Sequence, residues 1–258
     1  MRIYSPGNQA DREILFLQEV GSTNDYARKL FQKGCAAGTV VVARRQTGGK
    51  GRRGRSWSSP EGGLWFSLIL PCRPEDSSVH KVPLIISLSV AQAVEERCGV
   101  KTELKWPNDV LIGGKKIAGI LIERGTRDTG EEALLVGIGI NVNLEQEVLQ
   151  REGIQEVATS LDIVTGREED LYALLLSVLD KIEENLHNLY YNQGDLLGKF
   201  TPRMSILGQM VAVQLEGDTI YGRASGLTQE GALVIQAGKR TRTLYSGDVV
   251  SLRLREDS

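Results

Sequence analysis

The apolar runs of this chain are short and most end at glycine or proline, and this constrains the fold more than any other feature. ILFLQEV (14–20), GTVVVARR (38–45), GGLWFSLIL (62–70) and EEALLVGIGINVN (131–143) each read as one strand. TELKWPNDVLIGGKKIAGILIERG (102–125) reads as a short strand, a turn at Pro107 and two strands joined by Gly113-Gly114. Helical spacing is sustained in two long stretches. One is 82–99, with Pro83 in its first turn and Gly99 as its stop; the other is 168–190, through Leu171, Leu174, Leu175, Val178, Leu179, Ile182, Leu186 and Leu189. A shorter helix follows the first strand. Ser22 opens an S-x-x-D capping box with Asp25, Tyr26, Ala27, Leu30 and Phe31 share a face, and Gly34 closes it. Strands and helices do not alternate regularly, so the expected class is α+β, a mixed and mostly antiparallel sheet with helices packed against it.

With 258 residues, 41% of them apolar, there is material for one large domain plus a small one. Beyond a boundary near 195–205, four or five short strands separated by glycine-containing turns predict a small β-barrel, so the expected division is 1–200 and 201–258. Cys35, Cys72 and Cys98 have no C-x-x-C spacing, which argues against a disulfide framework or zinc site and for a reducing, cytoplasmic setting. The first residues, MRIYSPGNQADREILFL, contain an apolar run too short for a signal peptide, and no run is long enough to span a bilayer; no membrane partner is expected. His80 and His187 flank no recognisable nucleophile. Chemistry then falls to Lys, Arg, Asp and backbone groups, with no dedicated protein metal site.

Residues 44–57, RRQTGGKGRRGRSW, hold six cations, four glycines and no acid in a chain of net charge -2. A general polyanion binder is usually net positive, so the cluster is a local device. Gly49–Gly54 matches G-x-G-x-x-G, but Pro60 and Gly62-Gly63 interrupt the next segment, leaving no helix to meet a pyrophosphate, and no P-loop motif occurs. The loop reads either as a solvated basic segment or as a lid over an anionic ligand, with Gln46 and Trp57 offering an amide and a flat ring. In the second cluster, strict alternation places Lys116 on the face of Ala118, Ile120 and Ile122, with Lys115 opposite. Lys105 reads as an exposed strand charge or a site group, and Asp109 as a turn cap or a site group. In GIGINVN, Asn141 follows two glycines that suit either a bulged strand or close approach of a ligand.

STND at 22–25, QTGGKGRRGRSW at 46–57, KWPNDV at 105–110, KKIAGIL at 115–121 and GIGINVN at 137–143, in this order, resemble the catalytic domain of biotin protein ligases, also called biotin:acetyl-CoA-carboxylase ligases. The likeness spans about residues 14–190, and the C-terminal strands resemble the SH3-like barrel of bacterial members. It implies a class II synthetase-like biotin/lipoate ligase fold that joins biotin to ATP, with Mg²⁺, as biotinyl-5′-AMP and passes the biotinyl group to a lysine of a biotin carboxyl carrier protein. By this resemblance Lys116, Arg52 and Asp109 are the catalytic residues, Lys116 at the carboxylate and α-phosphate and Asp109 at Mg²⁺ or the incoming lysine. Ser22, Thr23, Asn24 and Gln46 take the biotin ring end, Lys50, Gly51 and Arg52 fold across the ligand, and Gly119 leaves room for it. Arg53, Arg55, Trp57, Lys105, Asn108 and Asn141 fall to ATP and the adenylate.

Lys50 stands where many members carry arginine, which keeps the charge and loses the planar fork. About thirteen residues precede the first strand, too few for a winged helix, so a monofunctional enzyme without DNA as a partner is expected. A homodimer is compatible with this reading. The competing readings are a lipoate-type acyl ligase, a nucleic-acid-binding module built on the Arg/Gly loop, and a biotin-responsive regulator whose DNA reader is another chain.

Overall fold

A computed structural model describes residues 13–72, 77–192 and 195–251. The segment before residue 13 and most of the polar stretch expected after the third strand lie outside these residues. The first half comprises β1 (Ile14–Val20), α1 (Thr23–Gln32), β2 (Val40–Gln46), β3 (Leu64–Pro71), α2 (Val82–Cys98), β4 (Glu103–Lys105), β5 (Asp109–Ile112), β6 (Lys115–Thr126) and β7 (Glu132–Ile140). Its strands form one sheet in the order β1-β2-β3-β7-β6-β5-β4. β1 and β2 are parallel, as a crossover through α1 requires, and the remaining neighbours are antiparallel. The sheet is therefore mixed and mostly antiparallel.

Local chemistry explains the helix ends. Ser22 Oγ accepts from Asp25 N–H at 3.4 Å to start α1. At its other end Arg127 donates to the carbonyls of Phe31 and Cys35 and stacks over the Phe31 ring. α2 is buried nearly all round, from Leu84 and Ile85 to Val90 and Val94. It lies between the sheet and α5 (Leu171–His187), after the short α3 (Gln146–Arg151) and α4 (Leu161–Thr165). The long C-terminal helix starts later than its apolar spacing suggests because Asp170 caps it, accepting from Tyr172 and Ala173 N–H; a π-helical turn over 188–192 ends it. Gly99, at φ 69°, stops α2 as expected.

After α6 (Leu196–Phe200) come β8 (Met210–Gln214), β9 (Thr219–Leu227), β10 (Leu233–Ala237), β11 (Arg240–Leu244) and β12 (Asp248–Ser251), an antiparallel sheet ordered β11-β10-β9-β8-β12. Its apolar face does not close on itself alone. Val211, Val213, Ala224, Leu233, Ile235 and Val249 belong to the same buried cluster as α2, α5 and the first sheet. Trp106 Nε1 donates to Gly231 O at 3.1 Å, and Ser205 N–H to Leu104 O at 2.9 Å, tying the two sheets together. No helix among the described residues is long and apolar enough to cross a membrane.

Burial, joined by the Glu169 carboxylate, pushes the Cys98 thiol up to about 11. The expected outcome is slow alkylation by iodoacetamide at pH 8, at least ~10-fold below a free thiol of pKa ≈ 8.5, with a rate still rising well above pH 9. Peptide mass spectrometry of labelled protein measures this; a plateau near pH 9 would contradict it.

Candidate active site

The β5–β6 pairing holds a bulge that decides where Lys116 goes. Val110 pairs Ala118 and Leu111 pairs Lys116, so Ile117 is an extra residue on β6. Ile117, Ala118 and Ile120 are all buried in the apolar core. The expectation that Lys116 shares the Ala118–Ile120–Ile122 face is thus corrected: the bulge breaks the alternation and turns the ammonium to the Gly119 side. There Lys116 Nζ lies 2.7 Å from Asp109 Oδ1 and 4.9 Å from the centroid of the Trp57 ring. Asp109 Oδ1 is buried and takes no well-formed hydrogen bond, so the ammonium is what compensates it. Lys115 reaches away to Gln155 O at 2.8 Å.

Trp57 lies on a floor of glycines. A Cβ at Gly119 would come 2.7 Å from Trp57 Cζ3, and one at Gly139 would come 2.6 Å from its Nε1. The indole Nε1–H is buried over this floor without an acceptor. An orphaned donor in such a place suits an oxygen-bearing ligand. Gly137 clears space in the same way for Asn24, whose Oδ1 would stand 2.7 Å from its Cβ.

Beside that floor runs a chain of hydrogen bonds from α1, β2 and β3. Thr23 N–H and Oγ1–H meet Gln46 Oε1 at 2.8 and 3.1 Å, and Gln46 Nε2 donates to Ser59 Oγ at 2.8 Å. Ser67 Oγ is 2.6 Å from Asn24 Oδ1 and 2.8 Å from Thr23 Oγ1. Asn24 Nδ2 donates to Glu123 Oε2 at 3.0 Å, and Arg28 pairs with the same oxygen at 3.4 Å. Ser22, Thr23, Asn24 and Ser67 are all buried, so their polar atoms are fixed by these partners.

The basic loop folds over the opening. Arg52–Gly54 forms a single 3₁₀ turn in which Arg53 adopts φ 54°, a left-handed conformation costing a non-glycine residue about 1–3 kcal/mol. Gly51 N–H and Arg55 O close the turn at 2.7 Å, and Lys50 reaches Asp25 at 2.6 Å. Arg52 Nη1 donates to Asn108 Oδ1 at 3.0 Å, while Asn108 Nδ2 donates to Ile120 O. Burial lowers the Arg52 pKa from its ordinary value; Asp248 and Asp109 oppose the shift, and Arg53 and Arg55 add to it. The group stays cationic near neutrality.

These groups converge on one cavity of about 550 Å³. Ser22, Thr23, Asn24, Gln46, Lys50, Gly51, Arg52, Arg55, Trp57, Lys105, Asn108, Asp109, Lys116, Gly119 and Asn141 all line it. Arg53 is the exception among the predicted residues: it does not line the cavity, and its guanidinium points to Asp248 at 3.7 Å. Asn141 uses its Nδ2 to hold Thr159 O at 3.0 Å, which fixes the segment that bridges to Lys116.

Sequence reasoning missed two parts of the wall and one residue behind it. Ile154, Glu156, Val157 and Ala158 supply one side, and Gln214, Gly247, Asp248, Val249 and Val250 of the second sheet supply another. Ser67, behind the lining, had a signal: it is the one hydroxyl inside an otherwise apolar strand.

Three comparisons with known proteins bear on this cavity. Residues 17–143 match the biotin/lipoate A/B protein ligase family, and residues 206–251 match the biotin protein ligase C-terminal domain. The bifunctional ligase/repressor BirA of Bacillus subtilis is 35% identical over 250 residues, covering 92% of this chain and 74% of that protein. The biotin–[acetyl-CoA-carboxylase] ligase of Mycobacterium tuberculosis is 30% identical, covering 94% of this chain and 90% of its own length. Among solved structures, the biotin protein ligase from Aquifex aeolicus in complex with biotin and ATP superposes with a TM-score of 0.81 at 37% identity, covering 94% of this chain and 99% of that one.

Proposed function

Because the chain belongs to the biotin protein ligase family, we propose that its cavity activates biotin with ATP as biotinyl-5′-AMP and passes the biotinyl group to a lysine of a carboxylase carrier protein. The observation that carries this reading is the meeting of Lys116, Arg52 and a polar chain of buried hydroxyls and amides over one glycine floor. In the first step a biotin carboxylate oxygen attacks the α-phosphorus. The bond from that phosphorus to the β-bridging oxygen breaks, and pyrophosphate leaves. In the second, the carrier amine attacks the acyl carbon, AMP leaves with the anhydride electrons, and the amine gives up a proton.

The obstacle in the first step is the approach of two anions, which at about 4 Å and an effective dielectric near 20 costs on the order of 4 kcal/mol. In this reading Lys116 meets the carboxylate and α-phosphate and Arg52 covers them from the loop; what supports it is that both side chains are already held at the cavity, by Asp109 and Asn108. Thr23, Gln46 and Asn24 suit a ring that carries both N–H and C=O. The Trp57 Nε1–H suits a carboxylate or phosphate oxygen, and Ile154 and Val157 offer apolar surface to the adenine. Lys105, Arg55 and Asn108 flank the triphosphate end. Asp109, 2.7 Å from Lys116, takes the proton of the incoming amine in this reading.

Of the three carboxylates lining the cavity, Asp109 and Asp248 already face cations and Glu156 stands at the exposed rim. These residues do not build a cage for Mg²⁺. Residues 1–200 carry the chemistry in this reading, and Gln214 and residues 247–250 of the second division complete the cavity wall. In this reading the macromolecular partner is the carrier and not DNA, which is supported by Arg52, Arg53 and Arg55 being engaged by one carboxylate instead of forming an open cationic stripe.

ATP–pyrophosphate exchange tests the reading. Exchange is expected with biotin and not with lipoate, whose dithiolane ring offers nothing to Gln46 and Thr23. A biotin carrier domain incubated with the protein, biotin and MgATP should gain one biotinyl mass; exchange supported by lipoate alone would reject the assignment.

A further inference from the structure

The chemistry above leaves one conspicuous group without a task. Asp248 sits at the start of β12, and its carboxylate, 20% exposed, faces three arginines of the loop. Arg55 Nη2 lies 3.0 and 2.9 Å from its two oxygens, Arg52 Nη1 3.6 Å from one, and Arg53 Nη1 3.7 Å from the other. Arg52 also donates to the neighbouring Gly247 O at 3.3 Å. The contacts join positions nearly two hundred residues apart.

Within the loop Arg55 Nε donates to Arg52 O at 3.3 Å, but residues 44–57 contain no acid to draw the three guanidiniums together, and Lys50 is already engaged by Asp25. Three guanidiniums crowded together repel one another, and the loop's glycines give them freedom to separate. Arg53 in addition holds a left-handed conformation, which persists only where the surroundings over-determine it. Among the described residues the group common to all three arginines is Asp248.

We propose that Asp248 is a positioning residue: in the ligand-free protein it stands in for a phosphate, keeping the loop arginines gathered over the cavity until the triphosphate takes them. The identity of the incoming anion rests on the ligase reading; the latch itself does not. ATP then meets an ordered set of cations and does not bear the entropy of collecting them. Biotin, whose ring end lies at Thr23 and Gln46, is far less exposed to the effect.

Trypsin reads the latch directly, because it cuts after the loop's own basic residues. In the full-length, ligand-free protein, Asp248→Asn is expected to raise cleavage between residues 50 and 57 about fivefold or more, with cleavage elsewhere unchanged. Asp248→Glu, which keeps the charge, should stay near wild type. In exchange assays Asp248→Asn should raise KM for ATP about fivefold while KM for biotin stays within about twofold. Unchanged loop cleavage, or equal rises in both KM values, would overturn the proposal. Should Asp248→Asn not fold, the wild-type protein decides: loop cleavage, normalised to a reference peptide, must rise as salt goes from about 0.05 to about 0.5 M, and a flat profile overturns the latch. If the wild-type protein shows no biotin-dependent exchange, the ligase reading fails, yet the cleavage difference still tests Asp248.

Discussion

Alanine at position 116 should lower ATP–pyrophosphate exchange by about 10²–10³-fold, equivalent to about 2.7–4 kcal/mol, the range seen when one preorganised charge-stabilising donor is lost. The ammonium is held 2.7 Å from Asp109 and 4.9 Å from the Trp57 ring centroid, on the cavity side of β6, and in the proposed reaction its removal would take a fixed cation from the reacting oxygens. Stability should change little. Asp109 Oδ1 is buried beside the ammonium, but the Lys116 and Asp109 side chains keep 30% and 20% of their exposure, so truncation at 116 opens that oxygen to water and the net loss is about 1 kcal/mol. That corresponds to a melting shift of about 2–4 °C for a chain of this size. Exchange kinetics beside calorimetry separate the two effects. Near-normal exchange in the variant would remove Lys116 from the mechanism; a collapse of the melting transition would make its role architectural.

Valine at Gly139 should be equally damaging by a steric route. Even its Cβ would sit 2.6 Å from Trp57 Nε1 and 2.8 Å from Cε2, so the indole must leave the floor and take the ligand-facing surface with it. A displacement of about 1 Å in such a site is worth about 10²-fold in rate. Exchange is expected to fall by at least that factor, and titration calorimetry should show weakened binding of a non-hydrolysable biotinyl-adenylate. Gly125→Ala is the control: its Cβ meets the Leu135 side chain at 3.3 Å, a neighbour able to yield, and activity should be retained. Equal activity in both variants would show that the glycine floor does not carry the ligand.

Much of this was legible because it is local. Short apolar runs bounded by glycine or proline gave the strands, Ser22 and Gly99 marked helix ends, and the basic loop, KWPNDV and GIGINVN identified much of the cavity wall. What escaped depends on three-dimensional accident. The face of Lys116 follows from one unpaired residue, Ile117, and apolar alternation carries no mark of a bulge. Asp248 is an ordinary acid in an ordinary strand until a loop from the other end of the chain arrives beside it. Glu123 helps orient the Asn24 amide from a strand nearly a hundred residues away, a contact no local pattern marks. The 154–158 wall carries hardly any chemically distinctive side chains, so its part in the cavity is visible only in the fold.

Gln214, Val249 and Val250 face the same hollow as Thr23 and Gln46, although they hang from a different sheet. The two sheets are therefore halves of a mould, and the shape of the cast depends on how they are seated. A substitution at the seam, such as one that breaks the Trp106–Gly231 tie, would alter turnover by shifting one half against the other, with every reactive group left in place.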